Sequence, residues 1–199
     1  MEQLRVFIAV DLPSSLQGRL GSVAERLHGL PGDARWVSAA HLHLTLRFLG
    51  ELEPASVELV KETVGRVASR HRPFSLALGG LGLFPERGAP NVVWVGVDAG
   101  RAELMALQRD LERELELSGF PPEDRPFTPH LTLARLRGAE PGAWREAAGR
   151  FGKDPLLSFV VREVRVMRSD LTRRGPIYST LAVAPLGVAA PASGDKRGE

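Results

Sequence analysis

The sequence predicts an α+β protein of two pseudo-symmetric lobes, each an antiparallel sheet with helices packed on the outside, around a central cleft. Three observations predict it. Seven short runs alternate apolar with polar residues or are rich in β-branched ones, which is the strand signature. Four stretches between them carry helical periodicity. The tetrapeptide His-Leu-Thr-Leu occurs twice, at 43–46 and 130–133, in a chain with five His and six Thr in total.

In chain order, "RVFIAVD" (5–11) reads as the first strand and "LPSSL" opens a helix over 13–29. A Pro-containing loop leads to the strand "LHLTLRFL" (42–49), and "EPASV" starts a helix over 54–70. The strand "FSLALGGLGL" (74–83) closes this first unit. A second unit follows, with strand "VVWVGVD" (92–98), a helix over 101–118 entered through "DAGRAEL", and strand "HLTLARL" (130–136). Its helix spans 141–151 from "EPGAW", and the strands "LSFVVREVRVMR" (157–168) and "IYSTLAVA" (177–184) complete it. Pro, Ser or Asp before or within the first turn marks each helix start. The first strands lie eighty-six residues apart and the repeated tetrapeptides eighty-seven. That agreement predicts one domain over 1–186 with an internal repeat, roughly 5–84 and 92–185. The small, polar tail 187–199 is expected to fray.

Bulk composition narrows the function class. At 199 residues the chain has ample length for one core. It has no Cys, which removes disulfides, thiolate metal sites and Cys nucleophiles. The start "MEQLRVFIAVDLP" lacks the pattern of a secretory signal, and no apolar run reaches the roughly 18 residues of a membrane span. A soluble, cytoplasmic protein is expected, with no membrane association. The net charge of +2 does not by itself argue for nucleic acid. Twenty-three of the 26 cationic residues are Arg, whose fork suits phosphate, although coding bias is the main explanation of the excess.

The repeated motif carries the chemistry. In a strand, alternate side chains share a face. His43 and Thr45 therefore project together while Leu44 and Leu46 turn into the core, and His130 and Thr132 do the same against Leu131 and Leu133. Two imidazoles on opposite sides of a phosphate can serve as general base and general acid in an in-line displacement. Histidine's ordinary pKa lets one ring be neutral and the other charged near neutral pH. Thr hydroxyls can hold the non-bridging oxygens. Two His without Asp, Glu or Cys are a thin metal-ligand set, so no metal and no cofactor are expected.

The paired His-x-Thr-x motifs, the "RFLG" trailer of the first and the "FTPHLTLAR" setting of the second resemble the two-histidine (2H) phosphoesterase superfamily. The nearest branch is the RNA 2′,3′-cyclic phosphodiesterases, also called 2′-5′ RNA ligases or LigT-like proteins. "RVFIAVDLP", "RWVSAAHLHLTLRFLG", "VVWVGV" and "SDLTRRGPIYSTL" extend the resemblance over nearly the whole chain. It implies that His43 is the proton donor to the leaving 3′ oxygen and His130 the proton acceptor from water, giving a 2′-phosphomonoester. Thr45 and Thr132 would bind the phosphate, and Phe48, Arg135 and Tyr178 would line the substrate pocket. The implied partner is RNA or nucleotides ending in a 2′,3′-cyclic phosphate, with ligation as the minor reverse activity. No obligate protein partner is evident, and a monomer is expected. Two alternatives stand beside this: another 2H activity, on 2′-5′ oligonucleotides or ADP-ribose cyclic phosphate, and a non-catalytic RNA-end-binding module.

Strict alternation places Arg135 on the face opposite His130, so its role requires a bulge, a strand end or a reach around the edge. Arg47 continues the face of His43 and could reach phosphate or solvent. His41 reads as a surface residue at the strand's start, and the three Trp read as core. Arg173 and Arg174 form a basic turn. "LGGLGLF" is no phosphate loop, since it lacks the Lys-Ser/Thr ending and the following helix.

Overall fold

A computed structural model describes residues 3–151, 155–173 and 175–187. Its elements are β1 (Leu4–Asp11), α1 (Ser14–Leu27), β2 (Asp33–Trp36), β3 (His43–Leu52), α2 (Pro54–Arg70), β4 (Phe74–Phe84), β5 (Val92–Val97), α3 (Arg101–Leu117), β6 (His130–Arg137), α4 (Pro141–Arg150), β7 (Pro155–Val161), β8 (Glu163–Thr172) and β9 (Gly175–Pro185). A short 3-10 turn, Ala39–His41, leads into β3.

Alternation explains which face of the sheet is covered. Val6, Ile8 and Val10 of β1, Leu44 and Leu46 of β3, Val93, Val95 and Val97 of β5, and Leu131 and Leu133 of β6 all enter one apolar core. Against them pack Val57, Val60, Val64 and Val67 of α2 and Leu104, Leu107, Leu111 and Leu115 of α3, at the i, i+3, i+4 spacing of one helix face. Each fully buried Leu or Val contributes about 1.5–3 kcal/mol. Trp144 of α4 joins the same core at 1% exposure, and its indole N–H donates to the Pro31 carbonyl at 2.9 Å. The helices thus share one side of the sheet. The other side carries a much smaller apolar cluster, Phe7, Ala9 and Met167, with Tyr178 against it.

The sheet is continuous, with strand order β7-β4-β5-β6-β3-β1-β8-β9 and β2 paired to β6. Two separate sheets were expected, but β3 and β6 pair at Leu44↔Leu131 and join the halves. Every recorded pairing is antiparallel. The order reads alike from either end. β4 crosses over to lie beside β5, and β8 crosses the other way to lie beside β1. One half, β4 to β7, therefore comes from the middle of the chain, and the other, β1, β3, β8 and β9, from its two ends.

Two further differences have local causes. The expected strand 157–168 is broken at Arg162, whose carbonyl accepts from Leu186 N–H instead of continuing the ladder. Its first part pairs with β4 and its second with β1, on opposite flanks of the sheet. β2 falls where the sequence reads as loop, because it is four residues long and follows a Pro-Gly turn. Of the expected frayed tail, 188–199 lie outside the described residues.

Candidate active site

The seam between β3 and β6 sets the geometry. Leu44 opposes Leu131, and the antiparallel register running out from that pair carries His43 towards Thr132 and Thr45 towards His130. With both Leu in the helix-packed core, their neighbours point to the other face. There a cavity of about 510 Å³ is lined by His43, Thr45, His130 and Thr132 together. Phe48, Arg135 and Tyr178 line it as well. All seven residues singled out from the sequence meet in one cavity.

Two bulges explain the positions that alternation misplaced. Along β1 and β3, Ile8 pairs with Arg47 and Ala9 with Thr45, so Leu46 is the extra residue. Along β5 and β6, Val93 pairs with Ala134 and Trp94 with Thr132, so Leu133 is extra. A bulge reverses the facing of every residue after it. Phe48 therefore turns into the cavity instead of Arg47, and Arg135 turns in instead of Ala134. The two bulges occupy the same place in the two motifs.

Arg47, released from the cavity face, is buried and becomes a structural ion. One guanidinium nitrogen donates to Glu112 Oε1 at 2.8 Å and the other to the Pro121 carbonyl. Glu112 Oε1 also accepts from the Glu123 backbone N–H at 2.9 Å, and Glu123 Oε1 accepts from Phe48 N–H at 3.2 Å. This network ties β3 to α3 and to the loop that delivers His130.

Each imidazole is anchored by its own strand. His43 Nδ1 lies 2.7 Å from the His41 carbonyl, and His130 Nδ1 lies 2.7 Å from the Thr128 carbonyl. A carbonyl oxygen only accepts, so Nδ1 carries hydrogen in both rings. Nε2 is left as the ring nitrogen of each able to exchange a proton with a ligand. The i−2 carbonyl performs the same task in both motifs.

Aromatic walls hold the rings. His43 lies 4.9 Å from Phe7 and 5.3 Å edge-to-face from Tyr178. His130 lies 5.1 Å edge-to-face from Phe84 and 6.0 Å from Trp94. Phe7 and Trp94 are eighty-seven residues apart, the spacing of the two His. Trp94 needs the Gly-rich strand: a Cβ at Gly82 would stand 2.0 Å from its indole. Those glycines make room for the wall behind His130.

Burial pushes the His43 pKa below its ordinary value. Its bond to the His41 carbonyl and the nearby Asp11 carboxylate work against that, while His41 adds to it. Burial pushes the Tyr178 phenol up, opposed by Arg135 and Arg5. No Asp or Glu lines the cavity among the described residues. Among those residues, no three His, Cys, Asp or Glu side chains cluster as a metal-holding group.

The sequence pattern of the 2′-5′ RNA ligase superfamily matches residues 12–173. The chain belongs to that superfamily. It is 40% identical over 167 residues to the RNA 2′,3′-cyclic phosphodiesterase of Aeropyrum pernix, covering 82% of this chain and 93% of that one. To the enzyme of the same description from Archaeoglobus fulgidus it is 32% identical, over 90% of this chain and 99% of the other. Among solved structures, E. coli LigT complexed with 3′-AMP superposes with a TM-score of 0.75 at 30% identity, covering 93% of this chain and 99% of that one. A protein of Thermus thermophilus superposes with a TM-score of 0.76 at 29% identity, over 92% and 98%. The chain is thus a LigT-like α+β enzyme of the RNA 2′,3′-cyclic phosphodiesterase family.

This superfamily member places further residues in the cavity that sequence reasoning missed or set aside. Arg5 and Phe7 share the cavity face of β1, and the alternation of that strand, with Val6, Ile8 and Val10 buried, was the available signal. Arg35 and Trp36 enter from β2, the strand hidden in an apparent loop. His41, expected at the surface, is half-buried, lines the cavity and packs edge-to-face on Tyr178 at 5.0 Å. Trp144 is core, as expected; Trp36 packs half-buried against that core and also lines the cavity, and Trp94 stands beside His130. Arg173 is exposed, and its expected partner Arg174 lies outside the described residues. Among the described residues, no helix is long and apolar enough to cross a membrane.

Proposed function

We propose that this protein hydrolyses RNA or nucleotide 2′,3′-cyclic phosphate ends to 2′-phosphomonoesters without a metal ion, as a monomer in the cytoplasm. The observation that carries the reading is the matched anchoring of His43 and His130. Two rings whose Nδ1 is engaged by a carbonyl, opening on one cavity with two Thr, form a paired acid/base device. A binding module has no need of it.

The steps follow from that arrangement. Thr45 and Thr132 donate their hydroxyls to the non-bridging phosphate oxygens. Neutral His130 takes a proton from water at Nε2 as the water oxygen attacks phosphorus. The P–O3′ bond breaks on the opposite side, and protonated His43 gives its Nε2 proton to the departing 3′ oxygen. The 2′ oxygen keeps the phosphate. Phe48, 41% exposed at the cavity rim, offers a face to a base, and Arg135 adds positive charge to the phosphate side. With a 5′-hydroxyl in place of water as the nucleophile, the same steps join a 2′-5′ linkage. The high concentration of water keeps ligation minor.

His43 is the group whose state the substrate must reset. Burial disfavours its imidazolium in the free protein. The anionic substrate supplies the opposite charge that makes the ring a competent acid. The same burial favours a second reading, with His43 as base and His130 as acid, which would leave the phosphate on the 3′ oxygen if the substrate sits in the same orientation. Incubation of an oligoribonucleotide 2′,3′-cyclic phosphate with the protein in excess EDTA tests the proposal. Undiminished ring opening is expected. Activity lost on chelation and restored by a divalent metal would overturn the metal-free mechanism.

A further inference from the structure

The cavity holds more positive charge than one cyclic phosphate requires. Arg5, Arg35 and Arg135 all line it, with no carboxylate among the described lining residues. None of the three has a carboxylate partner among the described residues. A cyclic phosphodiester carries a single negative charge. Arg5 is engaged already, its guanidinium 4.7 Å over the Phe48 ring. Arg35 and Arg135 are not, and they are register partners on β2 and β6.

That pairing is unfavourable by itself. Like charges directly opposite in adjacent strands repel. No described carboxylate lining the cavity neutralises them. Arg35 also reaches across the cavity towards the β8–β9 turn: a Cβ on Gly175 would lie 3.0 Å from its Nη2. The pair thus spans from β6 to that turn, facing the cavity with two uncompensated forks. Arg forks match phosphate oxygens in pairs.

We infer that Arg35 and Arg135 form a subsite for a second phosphate, the one on the 5′ oxygen of the nucleotide whose 2′,3′ ring is opened. The inference rests on the reading of the cavity as a cyclic phosphate site. It makes the preferred substrate a chain end, in which the terminal ribose carries a 5′ phosphodiester, over a free nucleoside cyclic phosphate. Arg135 serves both phosphates, and Arg35 serves the second alone.

Binding of two product analogues tests this independently of turnover. Calorimetry would compare adenosine 2′-monophosphate with adenosine 2′,5′-bisphosphate on the wild type and on Arg35→Gln. The wild type is expected to bind the bisphosphate about tenfold more tightly or better. In Arg35→Gln that ratio falls towards one, while the melting temperature holds or rises because the like-charge pair is gone. Equal affinities for the two ligands in the wild type would overturn the subsite. So would a tenfold preference that survives Arg35→Gln, since the second phosphate would then be held elsewhere. Failure of the hydrolytic reading shows separately, as absent turnover of cyclic phosphates with the bisphosphate preference intact.

Discussion

Leu44 of β3 and Leu131 of β6 are register partners at the seam of the sheet, and each stands between the His and the Thr of its own motif. Their side chains belong to the helix-packed core, at 1% and 0% exposure. The catalytic candidates flanking them are thereby forced onto the cavity face, with the two imidazoles diagonal across the seam. One apolar pair fixes the spacing of a polar quartet.

If the two rings act as acid and base, removing either should cost most of the rate and little of the fold. His43→Ala and His130→Ala should each lower kcat by on the order of a thousandfold. Far-ultraviolet circular dichroism and melting temperature should stay near wild type, since neither ring is in the main core. Near-normal hydrolysis by either variant would remove that residue from the mechanism.

Ligand binding should be linked to protons at His43. Burial holds its pKa below the ordinary value in the free protein. An anion beside the ring raises it. Between the lower free value and the higher bound one, binding takes up a proton, so affinity for a 2′-phosphate weakens as pH rises. Calorimetry in buffers of different ionisation enthalpy should report that uptake near neutral pH, and His43→Gln should abolish it. Proton release on binding would contradict the assignment.

Arg47 should matter through position. Its side chain is 6% exposed and bonded to Glu112 and the Pro121 carbonyl. Arg47→Met leaves the Pro121 carbonyl without this donor and Glu112 without its counter-ion, and losing one partner of a largely buried pair costs up to about 3–5 kcal/mol. The loop before His130 loses its tether, so kcat should fall in the population that remains folded. Arg47→Lys cannot reproduce both bonds and should restore little. Denaturant unfolding together with steady-state kinetics checks both effects.

Gly82→Ala should damage the wall behind His130. The added Cβ would overlap the Trp94 indole, which packs against Phe84 at 5.0 Å between ring centroids. Overpacking of this kind costs about 1–3 kcal/mol. A reduced melting temperature and a lower kcat/KM are expected. Gly18→Ala, at an open helical position, should leave kcat/KM near wild type and raise the melting temperature slightly, because Ala is favoured over Gly in a helix.

Much of this was legible from pattern alone, for identifiable reasons. Helix bounds followed from Pro54 and Pro141 at first helical positions, and the strand cores from alternation against a single buried face. Bulges were not legible. Nothing in "HLTLRFL" announces that Leu46 is an extra residue, so alternation gives Arg47 the face that Phe48 occupies. The same hidden device resolves Arg135, which strict alternation turns away from the cavity. β2 was invisible because four residues hold no period, and its pairing to β6 is decided by distant sequence. The break at Arg162 was equally hidden: the run from 157 to 168 keeps alternating while its two halves join opposite flanks of the sheet.

The position of the phosphate after ring opening tests the central claim most directly. Adenosine 2′,3′-cyclic phosphate carrying a 5′-phosphate would be turned over in water enriched in oxygen-18 without metal, and the product read by phosphorus NMR and mass spectrometry. The account predicts a 2′-phosphomonoester with one oxygen-18 on phosphorus, from attack on the side of His130 and departure of the 3′ oxygen towards His43. A 3′-phosphomonoester would contradict the assignment of donor and acceptor, and an unopened ring would contradict the function itself.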